Sequence, residues 1–193
     1  DGFIEDIKAA MVAERPDGAL VGEVWEDASN KMAYGKLRRY FEGTELDGTM
    51  NYPLRTALLA FVRNQIGAPE MVARLEQLRE NYPRDAFFSC LNLLGSHDRE
   101  RLFTMLGDAP DPDTLSEEEC AAFRLDEGHA SLAMSRLWLT VLLQMTLPGV
   151  PCVYYGDERG MEGFRDPYNR AAFPWDGGRM DCAMVFRNAI AVR

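Results

Sequence analysis

What most constrains this chain is an alternation. Short apolar runs that stop at polar residues take turns with longer stretches whose apolar positions recur at helical spacing. Strands that alternate with helices in this way need crossover connections, which gives a parallel β/α architecture. Strands are expected at Ala19–Trp25, Leu46–Tyr52, Phe87–Leu94 and Val150–Tyr155. These are about half the strands of a closed eight-stranded barrel. Helices are expected over Asp1–Ala13, from Pro53 (Leu54, Leu58, Leu59 and Val62 on one face), over Pro69–Tyr82, over Ser131–Met145 and over Met180–Val192. A helix is also expected to open near Arg99–Leu102, and Ser116 to Glu119 fits a capping box. Residues 26–44 look polar and partly helical, 107–115 an acidic, Pro-rich loop, and Gly160–Gly178 a long loop rich in Gly, Arg and aromatics. Ser131–Met145, with Leu137, Trp138 and Val141, reads as a buried helix.

The ends of the strands carry the chemistry. Phe87–Asp98 is an aromatic-rich apolar run that stops at Gly95-Ser96 and delivers His97 and Asp98. Parallel β/α folds build their sites at the carboxyl ends of strands. The plainer alternative is that Asp98 caps the helix that follows. Glu23 lies at the end of another apolar run beside Trp25, where desolvation is expected to favour its protonated form; its plain alternative is an exposed strand-end carboxylate.

Composition narrows the partners. The 193 residues are 47% hydrophobic, enough for one sizeable core, and a single domain over 1–193 is expected. A formal charge of -10 argues against nucleic acid or an anionic membrane as partner. Apolar runs are broken by Arg136, Gln144 and Pro148 before reaching membrane-span length. Asp1–Asp6 lacks the features of a secretion signal. Cys90, Cys120, Cys152 and Cys182 form no CxxC pair and read as free thiols, in keeping with a cytoplasmic location. His97 and His129, the two histidines, lie far apart in sequence, so no metal site is expected, and no cofactor. No Gly-rich loop precedes a helix, which disfavours a phosphate-binding barrel.

Taken together, the strand ends resemble the alpha-amylase family of retaining glycoside hydrolases. Gly22-Glu23-Val24-Trp25 is similar to the general-acid motif at barrel strand five. Asn92-Leu93-Leu94-Gly95-Ser96-His97-Asp98 is similar to the motif at strand seven, and the run Pro148–Glu158 to strand eight and its loop. Met50-Asn51-Tyr52-Pro53, Asp166-Pro167-Tyr168-Asn169-Arg170 and Phe173-Pro174-Trp175 resemble the neopullulanase, cyclomaltodextrinase and maltogenic amylase branch. The resemblance implies a partial (β/α)8 barrel, strands five to eight, forming the carboxyl-terminal half of a catalytic barrel. It implies α-1,4 or α-1,6 glucans as substrates, Glu23 as general acid/base and Asp98 as transition-state stabiliser. His97 would bind a hydroxyl of the same sugar. Trp25 and Tyr155 would stack on sugars, or serve as rim or core aromatics. Asp166, Asn169 and Arg170 would contact substrate, with Arg170 equally suited to bridging loops through backbone carbonyls. Asp157 and Glu158 would shape the loop.

The family nucleophile, an Asp in an aromatic-Arg-x-Asp motif after strand four, has no match here. Asp1, without a preceding Arg, suits a helix cap. Arg99 stands where the family usually has a small hydroxyl residue. The expectation is therefore a segment that does not hydrolyse glycosides alone and that self-associates through open strand edges. The competing reading is a non-catalytic glucan-binding or scaffold module.

Overall fold

The computed structural model describes residues 2–193, and the expectations placed on Asp1 lie outside them. The chain divides into two compact units. One comprises residues 2–57, Gly67–Asn92 and Pro148–Val150; the other comprises Leu58–Ile66, Leu93–Leu147 and Pro151–Arg193.

The first unit begins with α1 (Phe3–Glu14) and β1 (Val21–Gly22), then a hairpin of β2 (Met32–Ala33) and β3 (Lys36–Leu37), then β4 (Gly48–Thr49). α2 (Tyr52–Val62), α3 (Ala68–Asn81), α4 (Arg84–Ser89) and β5 (Leu91–Leu93) follow. β1 pairs in parallel with β4, and Met50 bridges in parallel to Leu91. The Asn51 N–H donates to the Leu91 carbonyl at 2.8 Å, and the Val150 N–H to the Cys90 carbonyl at 2.8 Å. This sets neighbours in the order β1, β4, β5 and β6 (Val150–Cys152), as the alternation predicts. Asn51 and Asn92 are buried and tie these strands together. Asn51 donates to Asn92 at 3.1 Å, and Asn92 donates to the Pro148 carbonyl at 2.8 Å. A side chain at Gly149 would come within 2.6 Å of Asn92, so a glycine is required there.

Several expectations are corrected here. Phe87–Ser89 is not the start of a strand; it ends α4, and only Leu91–Leu93 is strand. The apolar run is too short to reveal its period, and Pro83 favours a helix start directly before it. Residues 26–44 contain no helix. Tyr34 and Gly35 both have positive φ and form the tip of the β2–β3 hairpin instead. The paired part of the first expected strand is two residues long. In α3, Met71 and Leu78 are buried while Val72 is exposed.

The second unit is mainly helical. α5 (Leu102–Leu106) and α8 (Met180–Ile190) both pack on α7 (Glu127–Thr146), and α6 (Glu117–Ala122) opens with the expected Ser116–Glu119 capping box. Ala133, Leu137, Val141 and Met145 of α7 are buried, whereas Trp138 is 42% exposed. The helix is thus buried on one face only. At 3.6 residues per turn, Trp138 falls off the face shared by Leu137 and Val141. α5 starts at Leu102 with no side-chain cap, so Asp98 does not cap it. All four cysteines are free thiols; Cys90, Cys120 and Cys182 are buried and Cys152 half-buried. Among the described residues, no helix is long and apolar enough to cross a membrane.

Candidate active site

In the first unit, Glu23 follows β1 directly. The Tyr52 hydroxyl donates to its Oε1 at 2.9 Å. The Tyr52 ring stacks on Trp25, with centroids 4.5 Å apart and planes 8° from parallel. Tyr52 opens α2 and is buried, so one rigid aromatic holds both the carboxylate and the indole. Glu23 itself is exposed rather than closed into an apolar pocket, which corrects the expected desolvation. Trp25 also walls a cavity of about 360 Å³, with Pro53, Leu54 and Leu78 beneath and Arg74 and Gln77 at the rim. That size suits a small ligand, and an aromatic plane beside hydrogen-bonding side chains suits a sugar. Tyr52 is the residue that sequence reasoning missed, although its Met50–Pro53 motif was noticed.

In the second unit, His97 and Asp98 sit on a turn after β5. His97 Nε2 lies 3.1 Å from the Asp98 carboxylate. The turn is held by the loop after β6. Asn169 is fully buried, and its Nδ2 lies within 2.8–3.0 Å of the carbonyls of Ser96, His97 and Arg99. Arg170 Nε donates to the His97 carbonyl at 3.0 Å, and its Nη2 to Asp98 Oδ1 at 3.2 Å. Asp166 pairs with the same Nε at 2.8 Å. Asp166, Asn169 and Arg170 therefore form one clamp on the His97–Asp98 turn. The loop-bridging role foreseen for Arg170 is the one the hydrogen bonds show.

Beneath lies Arg101, fully buried, with its guanidinium 4.5 Å from the Tyr154 ring centroid and 4.6 Å from that of Tyr155. It donates to the Tyr155 carbonyl and lies 3.5 Å from Asp157 Oδ1. Burial pushes the Asp157 carboxyl up to about 7, against the opposing pull of Arg101. A Cβ on Gly95 would run into that carboxylate, so the Gly95-Ser96 break leaves room for it. The Tyr155 hydroxyl donates to the Ala171 carbonyl at 2.9 Å and its ring meets Tyr154 edge-on. Asp157 shapes the loop, as expected of it.

The sequence of these residues has relatives. The alpha-amylase family, described as Alpha amylase, catalytic domain, matches residues 1–188. An amylopullulanase of Thermoanaerobacter thermohydrosulfuricus is 33% identical over 99% of this chain and 12% of its own length. A cyclomaltodextrinase of Geobacillus thermopakistaniensis is 33% identical over 90% of this chain and 24% of its own. Among solved structures, a cyclic alpha-maltosyl-(1→6)-maltose hydrolase from Arthrobacter globiformis, in complex with its cyclic sugar, superposes with a TM-score of 0.77. It shares 28% identity over 98% of this chain and 36% of that one. The chain thus spans well under half the length of these relatives. With the match covering nearly every residue, strand ends included, the chain belongs to the alpha-amylase catalytic-domain family, whose fold is a (β/α)8 barrel.

Proposed function

We propose that the chain contributes strands five to eight, with their helices, to the catalytic barrel of a retaining hydrolase of α-1,4 or α-1,6 glucans. The observation that carries this reading is the first-unit cluster: an exposed strand-end carboxylate, Glu23, oriented by Tyr52, which also stacks on Trp25. An orienting hydrogen bond and an aromatic platform beside a carboxylate are what a general acid/base acting on a sugar needs. Glu23 takes the acid/base role and Asp98 that of transition-state stabiliser. Retaining cleavage uses a second carboxylate as nucleophile, and that aspartate lies upstream of this segment. His97, Trp25 and Tyr155 are proposed substrate contacts. Asp166, Asn169 and Arg170 contribute chiefly by fixing the turn that carries Asp98.

Reducing-sugar release from maltodextrins tests this, comparing the 193-residue chain with a longer version carrying the preceding barrel strands. The short chain is expected to be silent and the long one active. Glu23→Gln in the long form is expected to lower kcat/KM by about 10²–10⁴-fold. Activity of the short chain would overturn the missing-nucleophile reading. A long form that binds maltodextrin without cleaving it would favour the scaffold alternative.

A further inference from the structure

A second cavity, of about 440 Å³, lies wholly within the second unit and is lined by Arg124, Arg159 and Arg179, with Glu162 as its one carboxylate. Three guanidiniums in one concavity stand out in a chain of formal charge -10. Glu162 is already engaged: Arg179 Nη2 donates to its Oε1 at 3.3 Å, and the Leu125 N–H to its Oε2 at 2.7 Å. Arg179 is further held over the Phe103 ring, 4.6 Å from its centroid. The other two cations have no such balance. Arg159 donates to the Gly177 carbonyl and to Met180 Sδ, and its buried Nε has no partner. Arg124 donates to the carbonyl of its neighbour Phe123. Among the described residues neither forms an ion pair with a carboxylate.

The walls are built to stay open. Gly160 and Gly178 have φ of +62° and +86°, and side chains there would press within 2.8 Å of Arg179 and 3.0 Å of Arg159. The Arg179 N–H donates to the Arg159 carbonyl at 2.8 Å, so these two arginines are fixed relative to each other by backbone. Arg124 is exposed and Arg159 half-buried, so both can meet a ligand from solvent, and a planar fork of N–H donors matches a phosphate better than it matches a carbonyl.

We propose that this cavity is a binding site for a phosphate monoester dianion, either inorganic phosphate or the phosphoryl group of a sugar phosphate, gripped by Arg124 and Arg159. This proposal does not rest on the hydrolytic reading. The cavity exceeds the size of a bare phosphate, which leaves room for one attached sugar ring.

Isothermal titration of the purified chain, at low ionic strength and in a phosphate-free buffer, tests the proposal with three probes: inorganic phosphate, glucose 6-phosphate and glucose. Both phosphates are expected to bind and glucose is not. Arg159→Gln and Arg124→Gln are each expected to weaken phosphate binding at least about tenfold. Arg165→Gln, whose native partner is Asp113 outside the cavity, should leave it unchanged. Arg124→Gln guards against misfolding, because its side chain bonds only the adjacent backbone. Tighter binding of glucose 6-phosphate would assign the cavity to sugar phosphates, and equal affinity to the inorganic ion. No heat with either phosphate at about 10 mM, undiminished binding in Arg124→Gln, or glucose binding as well as its phosphate would overturn the proposal.

Discussion

Asn169 bears more of the His97–Asp98 turn than its size suggests. One amide nitrogen reaches three backbone carbonyls, of which that of Ser96 is buried. Truncation leaves the His97 carbonyl its bond from Arg170 but removes the buried partner of the Ser96 carbonyl, and an unpaired buried acceptor costs more than a typical exposed hydrogen bond. Asn169→Ala is therefore expected to lower unfolding free energy by about 1–3 kcal/mol, read from urea denaturation. The His97 ring resonances should broaden or move in the same variant, because the turn that carries the imidazole loses its fastening. Unchanged resonances would mean that Arg170 and Asp166 alone hold the turn. Thiol reactivity offers a second check at this scale. Burial pushes the Cys182 thiol up to about 12 and raises Cys90 as well. Cys152 is raised too, yet it is the one half-buried thiol. Under native conditions, alkylation followed by mass spectrometry should label Cys152 first and leave Cys90 and Cys182 protected.

Among the elements, the loop that follows β6 has a pH dependence of its own. Asp157 is fully buried and its carboxyl is raised to about 7, so the folded chain holds this proton over a range in which the unfolded chain has released it. A raised carboxyl contributes no penalty below about pH 4, and progressively destabilises the fold as pH climbs from there to about 7. The upper bound is about 4 kcal/mol, from roughly three pH units of differential proton binding. Asp157→Asn should flatten that part of the stability profile in thermal unfolding scans, whereas Glu158→Gln should not. This buried Arg101–Asp157 pair was not legible in the sequence, because nothing in a run such as Gly156-Asp157-Glu158 tells which carboxylate turns inward. The helices were more readable. Their apolar positions repeat over three or more turns, and caps such as Ser116–Glu119 mark their ends. Strands of two or three residues carry too few positions to show a period, which is why Phe87–Ser89 misled. Glu23, His97 and Asp98 stood out in the sequence as candidates because their residue types are chemically distinctive at strand ends. Tyr52 escaped because it reads as the last residue of the expected strand Leu46–Tyr52, whereas it opens α2 and turns its hydroxyl to Glu23.

At the scale of the molecule, the first unit leaves apolar surface at its margins. No side chain of α1 is buried, although Phe3, Ile4, Ile7 and Met11 recur at helical spacing; Phe3 is 74% exposed. Val21 of β1 and Val150 of β6, on the two outer strands of the β1–β4–β5–β6 order, are exposed as well. An outer strand offers unpaired N–H and C=O groups, and an apolar margin beside it makes pairing with another chain favourable. The opposing term is charge: at -10, two copies repel each other, and added salt screens that repulsion while leaving apolar burial intact. Sedimentation velocity at micromolar concentration is therefore expected to show dimers or higher species whose fraction rises with ionic strength. Phe3→Ser together with Ile7→Ser should shift the distribution towards monomer, since both side chains are already exposed and their loss opens no cavity. Association that falls with salt would place the contact on charged surface instead, and a monomer at every salt concentration would mean that these margins do not associate in solution.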